Sequence, residues 1–331
     1  MKKPYGIDVA VLLIFWARPE QFGKVFEQVK KTRPSKLFLY QDGPRENRSD
    51  DLESIKKCRD IAEDIDWECK VHKMYQEKNY GCDPSGFIAQ KWAFSIVDEC
   101  IVLEDDCVPS QSLFPFCKEL LEKYRHDERI HMICGMNNTG VSEHCPYSYL
   151  FSITGSIWGW ASWKRVIDTW DENYSFLDDK FTIQQLAKNM INFDKFLKTY
   201  IKHKQSGKVH HESISASSMF LNSRLNIVPT KNMISNIGVS ENATHAVSDA
   251  KMLPRGIRKI FNMRTYEIEF PLKHPKYVIE DVEFRKRLYR IMANGHPIIS
   301  IFRRFESIAL RIRYGDFKRL WQSFKNKINK R

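Results

Sequence analysis

With 331 residues, 42% of them hydrophobic and 13% aromatic, the chain carries more apolar material than one small core needs, which excludes a disordered or low-complexity protein. No apolar run reaches the length of a membrane span, and the opening Met1-Lys2-Lys3-Pro4-Tyr5-Gly6 leads into a run too short for a secretory signal. The net charge of +12 is uneven: residues 255–331 hold 20 Lys and Arg against 7 Asp and Glu, leaving the preceding body nearly neutral.

The first half alternates strand-like and helix-like segments, as expected of βαβ units around a mainly parallel sheet. Residues 9–15 form the first expected strand. Pro19 and Glu20 then open a helix whose apolar positions Phe22, Val25, Phe26 and Val29 repeat at helical spacing. A second strand over 37–40 ends in Gln41-Asp42-Gly43-Pro44, a turn signal, and a polar helix over 52–64 precedes a third strand over 67–74. After a loop over 77–82, Asp83 and Pro84 predict the cap and first position of the next helix. The fourth strand follows at 100–103. Phe114, Cys117, Leu120, Leu121 and Tyr124 mark a further amphipathic helix, and 130–134 another strand. The second half is richer in aromatics, with Trp158, Trp160, Trp163 and Trp170 close together, a small-residue helix over 213–225 and an apolar Ile227-Val228-Pro229. The eight cysteines include no C-x-x-C pair, which favours reduced, mostly core thiols in a cytoplasmic protein.

The fourth strand carries the strongest chemical signal, because Cys100-Ile101-Val102-Leu103 ends abruptly in Glu104-Asp105-Asp106. Three carboxylates cannot be buried together without a cation or hydrogen-bond donors. At the carboxyl end of a strand in an open α/β sheet, the expected cation is a divalent metal carrying a phosphorylated ligand.

Around this triad stand other segments in a fixed order. They are Phe15-Trp16-Ala17-Arg18-Pro19-Glu20 after the first strand, Asp42-Gly43-Pro44 after the second and Glu77-Lys78-Asn79-Tyr80-Gly81-Cys82 after the third. Then come Trp158-Gly159-Trp160-Ala161-Ser162-Trp163, Asn232-Met233-Ile234-Ser235-Asn236-Ile237-Gly238 and Ala243-Thr244-His245. Together they resemble bacterial glycosyltransferases of the GT-A fold, related to family 2 nucleotide-sugar transferases. The resemblance implies a Rossmann-like nucleotide-diphospho-sugar transferase architecture over 1–253, its nucleotide-binding half at about 1–135 and its acceptor half at about 136–253.

The same resemblance implies site roles. Asp106 would hold Mn2+ or Mg2+, with His245 completing the metal or pyrophosphate site. Arg18, Asp42, Glu77, Asn79, Gly81, Glu104 and Asp105 would face the nucleotide-sugar, their carboxylates accepting from base N–H and ribose hydroxyls. Asp42 also reads as an ordinary turn residue and Gly81 as a left-handed turn position. Glu212, ahead of Pro229 and Asn232, takes the place of the base that deprotonates the acceptor; it equally reads as an acid stabilising a helix amino terminus. Trp158, Gly159 and Trp160 suit a sugar or acceptor cleft, or a packed core.

Residues 254–331 are expected to form a basic amphipathic helical tail. Ile301, Phe305, Ile308 and Ile312 form one stripe, and Phe317, Leu320, Trp321, Phe324 and Ile328 a second. Such helices lie in the interface of an anionic membrane or pack on the body. The expected protein is a metal-dependent inverting glycosyltransferase. It moves sugar from a nucleotide-sugar to a glycan or lipid-linked glycan, as in surface polysaccharide synthesis, and is cytoplasmic or peripheral on the inner face of the cell membrane. The alternatives are a nucleotidyltransferase, although 15–20 contains no glycine for a phosphate loop, and a non-catalytic membrane or nucleic-acid scaffold. No nucleic-acid partner is expected, since no RNP, zinc-finger or helix-turn-helix pattern is present.

Overall fold

The computed structural model describes residues 2–239, 250–317 and 321. The first half runs β1 (Ile7–Phe15), α1 (Pro19–Thr32), β2 (Pro34–Gln41), α2 (Asp50–Ala62), β3 (Lys70–Tyr75), α3 (Cys82–Ile96) and β4 (Glu99–Glu104). It continues with β5 (Cys107–Pro109), α4 (Leu113–Lys123), β6 (Ile130–Cys134), β7 (Tyr149–Ser152) and β8 (Trp160–Trp163). Next come α5 (Lys164–Ile167), α6 (Lys180–Asn189), α7 (Phe193–Ser206), α8 (His211–Leu221), β9 (Leu225–Pro229) and β10 (Ile234–Asn236). The helices α9 (Arg255–Arg258), α10 (Val282–Met292) and α11 (Pro297–Arg313) follow.

Eight strands form one mixed sheet in the order β3-β2-β1-β4-β8-β6-β9-β7, and β5 pairs with β10 in a second, small antiparallel sheet. From β3 to β4 the strands are parallel, whereas β8 runs antiparallel to both of its neighbours. The period of two along β1 explains why helices cover both faces. Val9, Val11, Leu13 and Phe15 pack on one side with Phe22, Val25, Phe26 and Val29 of α1; Ala10 and Leu12 pack on the other with Ala89, Ala93 and Phe94 of α3.

Chain order reverses beside β1, since β2 lies on one side and β4 on the other. Such a reversal leaves a crevice outside the carboxyl ends of the strands. The register aligns Ile14 with Glu104, Phe15 with Gln41 and Gln41 with Tyr75, so the loops after β1, β2, β3 and β4 all leave the same sheet edge.

Three local features differ from the sequence expectations. The helix α3 begins at Cys82 behind Gly81, whose φ is +86°, and Asp83 in its first turn is an ion-pair partner rather than a cap. The helix α8 stops at Leu221, because Leu225 already belongs to β9. The tryptophan cluster contains the strand β8, so Trp160 is a core side chain, 3% exposed, and not part of a cleft. Gly159 is likewise a packing residue. At φ +63°, a Cβ there would lie 2.3 Å from Ile234 Cδ1, and its carbonyl accepts from Gly135 N at 2.7 Å. Gly159→Ala should therefore lower stability by about 2–4 kcal/mol through left-handed strain and overpacking, as read from the urea midpoint.

The segment after 254 completes the core. Ile260, Leu272, Phe284 and Leu288 are buried, Tyr266 N donates to Asn232 O, and the Glu267 carboxylate accepts from the backbone N–H of Gln111 and Ser112 at the start of α4. By contrast, α11 buries none of its residues. Among the described residues no helix is long and apolar enough to cross a membrane.

Candidate active site

The crevice at the chain reversal holds a cavity of about 370 Å3, lined among others by Trp16, Arg18, Arg45, Asn79, Glu104 and Asp106. Glu104 closes β4, and Asp105 and Asp106 form the turn into β5. Both aspartates are more than nine-tenths buried, and the cation that meets them is Arg18. Its Nη1 lies 2.9 Å from Asp106 Oδ2 and 3.4 Å from Asp105 Oδ1. Trp16 N donates to Asp105 at 3.2 Å, and Asn236 Nδ2 donates to Asp106 at 3.2 Å.

Pairing of Asn236 with Cys107 across β10 and β5 brings that amide into place. Gly238 follows at such close quarters that a Cβ on it would fall 2.1 Å from Asp106 Oδ2. The segment Asn232–Gly238, which the sequence singles out, thus forms the flank of Asp106.

One guanidinium does not neutralise three acids. Burial, reinforced by the charge of Asp106, lifts the Glu104 carboxyl to about 8. Burial also raises Asp105 to about 6 against the pull of Arg18. An additional cation at this edge would be stabilised. Oxygens of Glu104 and Asp106 and the sulfur of Cys107 lie within 4.8 Å of one another. Two carboxyl oxygens suit a hard dication, whose charge would displace the proton that burial favours on Glu104, whereas the soft sulfur of the buried Cys107 is a poor ligand for it. Arg18, its side chain 47% exposed, has room to give way. The donor set therefore fits Mn2+ or Mg2+. His245 lies outside the described residues.

The β2 and β3 loops depart from their expected roles. Asp42 is buried with its acceptor positions filled: Oδ1 takes Gly43 N and Tyr80 N, and Oδ2 takes Asn79 Nδ2 and Gly81 N, all at 2.9–3.0 Å. It lines the cavity and clamps the loop before α3, its lone pairs taken up by these four donors. Glu77 is exposed and absent from the cavity wall. Asn79 and Gly81 do reach the wall, but Gly81 serves by its left-handed φ, since a Cβ there would meet nothing within 4 Å. Close approach instead occurs at Gly43, where a Cβ would sit 2.6 Å from the Lys78 backbone.

A second cavity, about 410 Å3, is walled in part by α8 and is lined by Trp158, Glu212, Met219, Phe220, His131 and Asn226 among others. Trp158 is thus brought to a cavity, with its ring 5.0 Å from that of Phe261. Glu212, in the first turn of α8, is exposed, and its negative charge is felt at Glu104. His211 packs behind the wall of the first cavity and directly precedes Glu212. It is 4% exposed, with Nδ1 3.3 Å from Asp83 Oδ1, and its ring fills the space that a Cβ on Gly86, in the first cavity's wall, would take. Burial alone would push the imidazole down, but the carboxylates of Asp83, Glu104 and Glu212 together lift it above its usual value. His210 binds the other Asp83 oxygen at 3.2 Å.

The sequence expectations missed the Asp83–His210–His211 group, in which Asp83 lies 127 residues before the first of the two adjacent histidines. They also missed the Trp16 ring, covered by Arg45 at 4.8 Å and fixed by Nε1 donating to Gly43 O at 2.8 Å. Arg45 is in turn held by three hydrogen bonds to Asp51. The only linear hints were the paired histidines before Glu212 and the Arg within an acidic loop.

In the second cavity, burial and the charges of Arg224 and Arg165 push the His131 imidazole down to about 3, so it is neutral in the native fold. The unfolded chain takes up that proton below about 6.5, so the stability from His131 is full above 6.5 and lost toward pH 3, by about 1.4 kcal/mol per pH unit. Between pH 6.5 and 5, His131→Asn should lose about 2 kcal/mol less than the wild type in urea unfolding.

No protein family and no curated protein matches the chain. Solved structures similar to it include UDP-glucose pyrophosphorylase complexed with UDP-glucose, 8% identical over 70% of this chain and 93% of that one, with a TM-score of 0.38. A 4-diphosphocytidyl-2C-methyl-D-erythritol synthase from Anaerococcus prevotii is 10% identical over 65% and 98%, TM-score 0.30. Apo mouse xyloside xylosyltransferase 1 is 12% identical over 65% and 81%, TM-score 0.34. These scores are too low to speak for substrate or reaction, which rest on the site itself.

Proposed function

We propose that the protein is a metal-dependent, inverting glycosyltransferase of GT-A type, moving a sugar from a nucleotide-sugar to a hydroxyl of a glycan or lipid-linked glycan. The observation that carries this is a pair of cavities: one with three acids and Arg18 at the chain reversal, the other with mostly apolar and aromatic walls in which Glu212 is the acid, near enough for its charge to act on Glu104.

In this reading the Trp16 face and Arg45 receive the nucleoside, and Asp105 accepts from ribose hydroxyls. Arg18 exchanges its carboxylates for the donor phosphates, to which a guanidinium binds well. Glu104 and Asp106 would hold Mn2+ or Mg2+, which supplies positive charge against the departing diphosphate. The second cavity takes a neutral sugar, its apolar face on Trp158 and Phe220 and its hydroxyls toward Asn226 and His131. Glu212 accepts the acceptor hydroxyl proton as the new carbon–oxygen bond forms and the bond to the nucleoside diphosphate breaks; the proton then passes to solvent.

Incubation with Mn2+ and a panel of nucleotide-sugars, followed by phosphorus NMR, should show release of a nucleoside diphosphate. A second reading is nucleotidyl transfer, favoured by the presence of a cation, Arg18, against the acids. It predicts pyrophosphate from a nucleoside triphosphate and a sugar phosphate in the same assay, with no diphosphate released.

A further inference from the structure

We propose that α11 docks the protein on an anionic membrane, lying in the plane of the headgroup and acyl boundary. Ile298, Ile301, Phe302, Phe305, Ile308 and Ile312 are 38–70% exposed. At 100° per residue they fall within an arc of about 120° on one face of the helix. Arg304 and Arg311 border that arc on one side and Arg313 on the other, the arrangement in which arginine stems lie along an apolar surface while their heads reach phosphates.

The rest of the helix surface is tied to the body. Arg303, opposite the arc, donates to Ile291 O, and the carboxylate of Glu306, next to Arg313 on the arc's border, accepts from Arg255 N at 2.9 Å. The body therefore holds the stripe outward. Beyond the helix end Phe317 and Trp321 are also exposed, at 63% and 71%. With 17 residues, about 26 Å long, and five charged side chains, α11 is built to lie on a bilayer, not to cross one.

Charge selects the occupant. The helix carries four Arg against one Glu, within a segment whose excess of 20 basic over 7 acidic residues exceeds the net charge of the whole chain. Two copies of this helix packed stripe to stripe would align their bordering arginines along one seam, where they repel. An anionic lipid surface neutralises them instead, each arginine being worth about fivefold in binding. This surface is independent of the transfer chemistry. Joined to the transferase reading, on which this one point rests, it leads to a lipid-borne acceptor: α10, which contributes Leu288, Tyr289 and Met292 to the second cavity, passes directly into α11.

Co-sedimentation of the full chain with phosphatidylcholine vesicles, with and without roughly a third phosphatidylglycerol, tests the proposal. Binding is expected only to the anionic vesicles. It should weaken at least about 20-fold in F302S/F305S and in R304E/R313E, all exposed positions whose change leaves nucleotide binding by calorimetry intact. Absence of vesicle binding, or equal binding by wild type and both variants, overturns the proposal. So does a concentration-dependent dimer in ultracentrifugation that F302S/F305S dissolves while vesicles are ignored, since that makes a second copy the occupant. Vesicle binding lost with nucleoside diphosphate release preserved refutes only the docking surface; the reverse outcome refutes only the transferase.

Discussion

Glu212→Gln should lower turnover by about 10²–10⁴-fold while donor affinity stays within about twofold of the wild type. The amide keeps the shape of the side chain but cannot take the hydroxyl proton. Because Glu212 is exposed in the first turn of α8, its loss removes no buried contact, and stability should change by less than about 0.5 kcal/mol. Steady-state kinetics with a transferable donor, alongside a urea melt, separates the two effects. Wild-type turnover in the variant would remove Glu212 from the chemistry and leave it as a stabiliser of the helix amino terminus.

Asp106→Ala should cost about 10³-fold in turnover, equivalent to the several kcal/mol that a cation contributes against the charge of the leaving diphosphate. Two consequences accompany the loss. Arg18 keeps only its longer contact, 3.4 Å to Asp105, and Asn236 Nδ2 loses its carboxylate acceptor. A compensating probe is Gly238→Ala, which leaves every carboxylate in place but drives a methyl against Asp106 Oδ2; it should lower turnover in the same direction through displacement alone. If both variants retained full activity, Asp106 would have no part in the reaction.

Much of the first half of the chain is legible in the sequence for a physical reason. The apolar positions Phe22, Val25, Phe26 and Val29 recur at three- and four-residue steps, and all four are buried in α1. The apolar run ending at Glu104 forms a strand buried in the sheet. That the acids need a cation was legible too; that Arg18 supplies one, from 87 residues away, was not, because only the parallel pairing of β1 with β4 brings the two loops together.

The second half hides its strands. The four residues of β8 look like an aromatic loop, and the strand is set between β4 and β6 by long-range antiparallel pairing rather than by a local turn. Asp42 shows a subtler failure. Its position at the strand end is as expected, but four donors converge on it, three of them from residues 79–81, and turn an apparent ligand contact into a loop clamp. Partners that arrive from another loop leave no trace in the spacing around a residue.

The most direct measurement is a calorimetric titration of nucleoside diphosphates into the wild-type protein and into Asp106→Ala, each with and without Mn2+. One diphosphate should bind the wild type, more tightly when the metal is present, and the metal-dependent gain should vanish in the variant. Failure of every nucleotide to bind, or a metal-dependent gain of the same size in both proteins, would contradict the assignment of this sheet edge to a nucleotide and its cation.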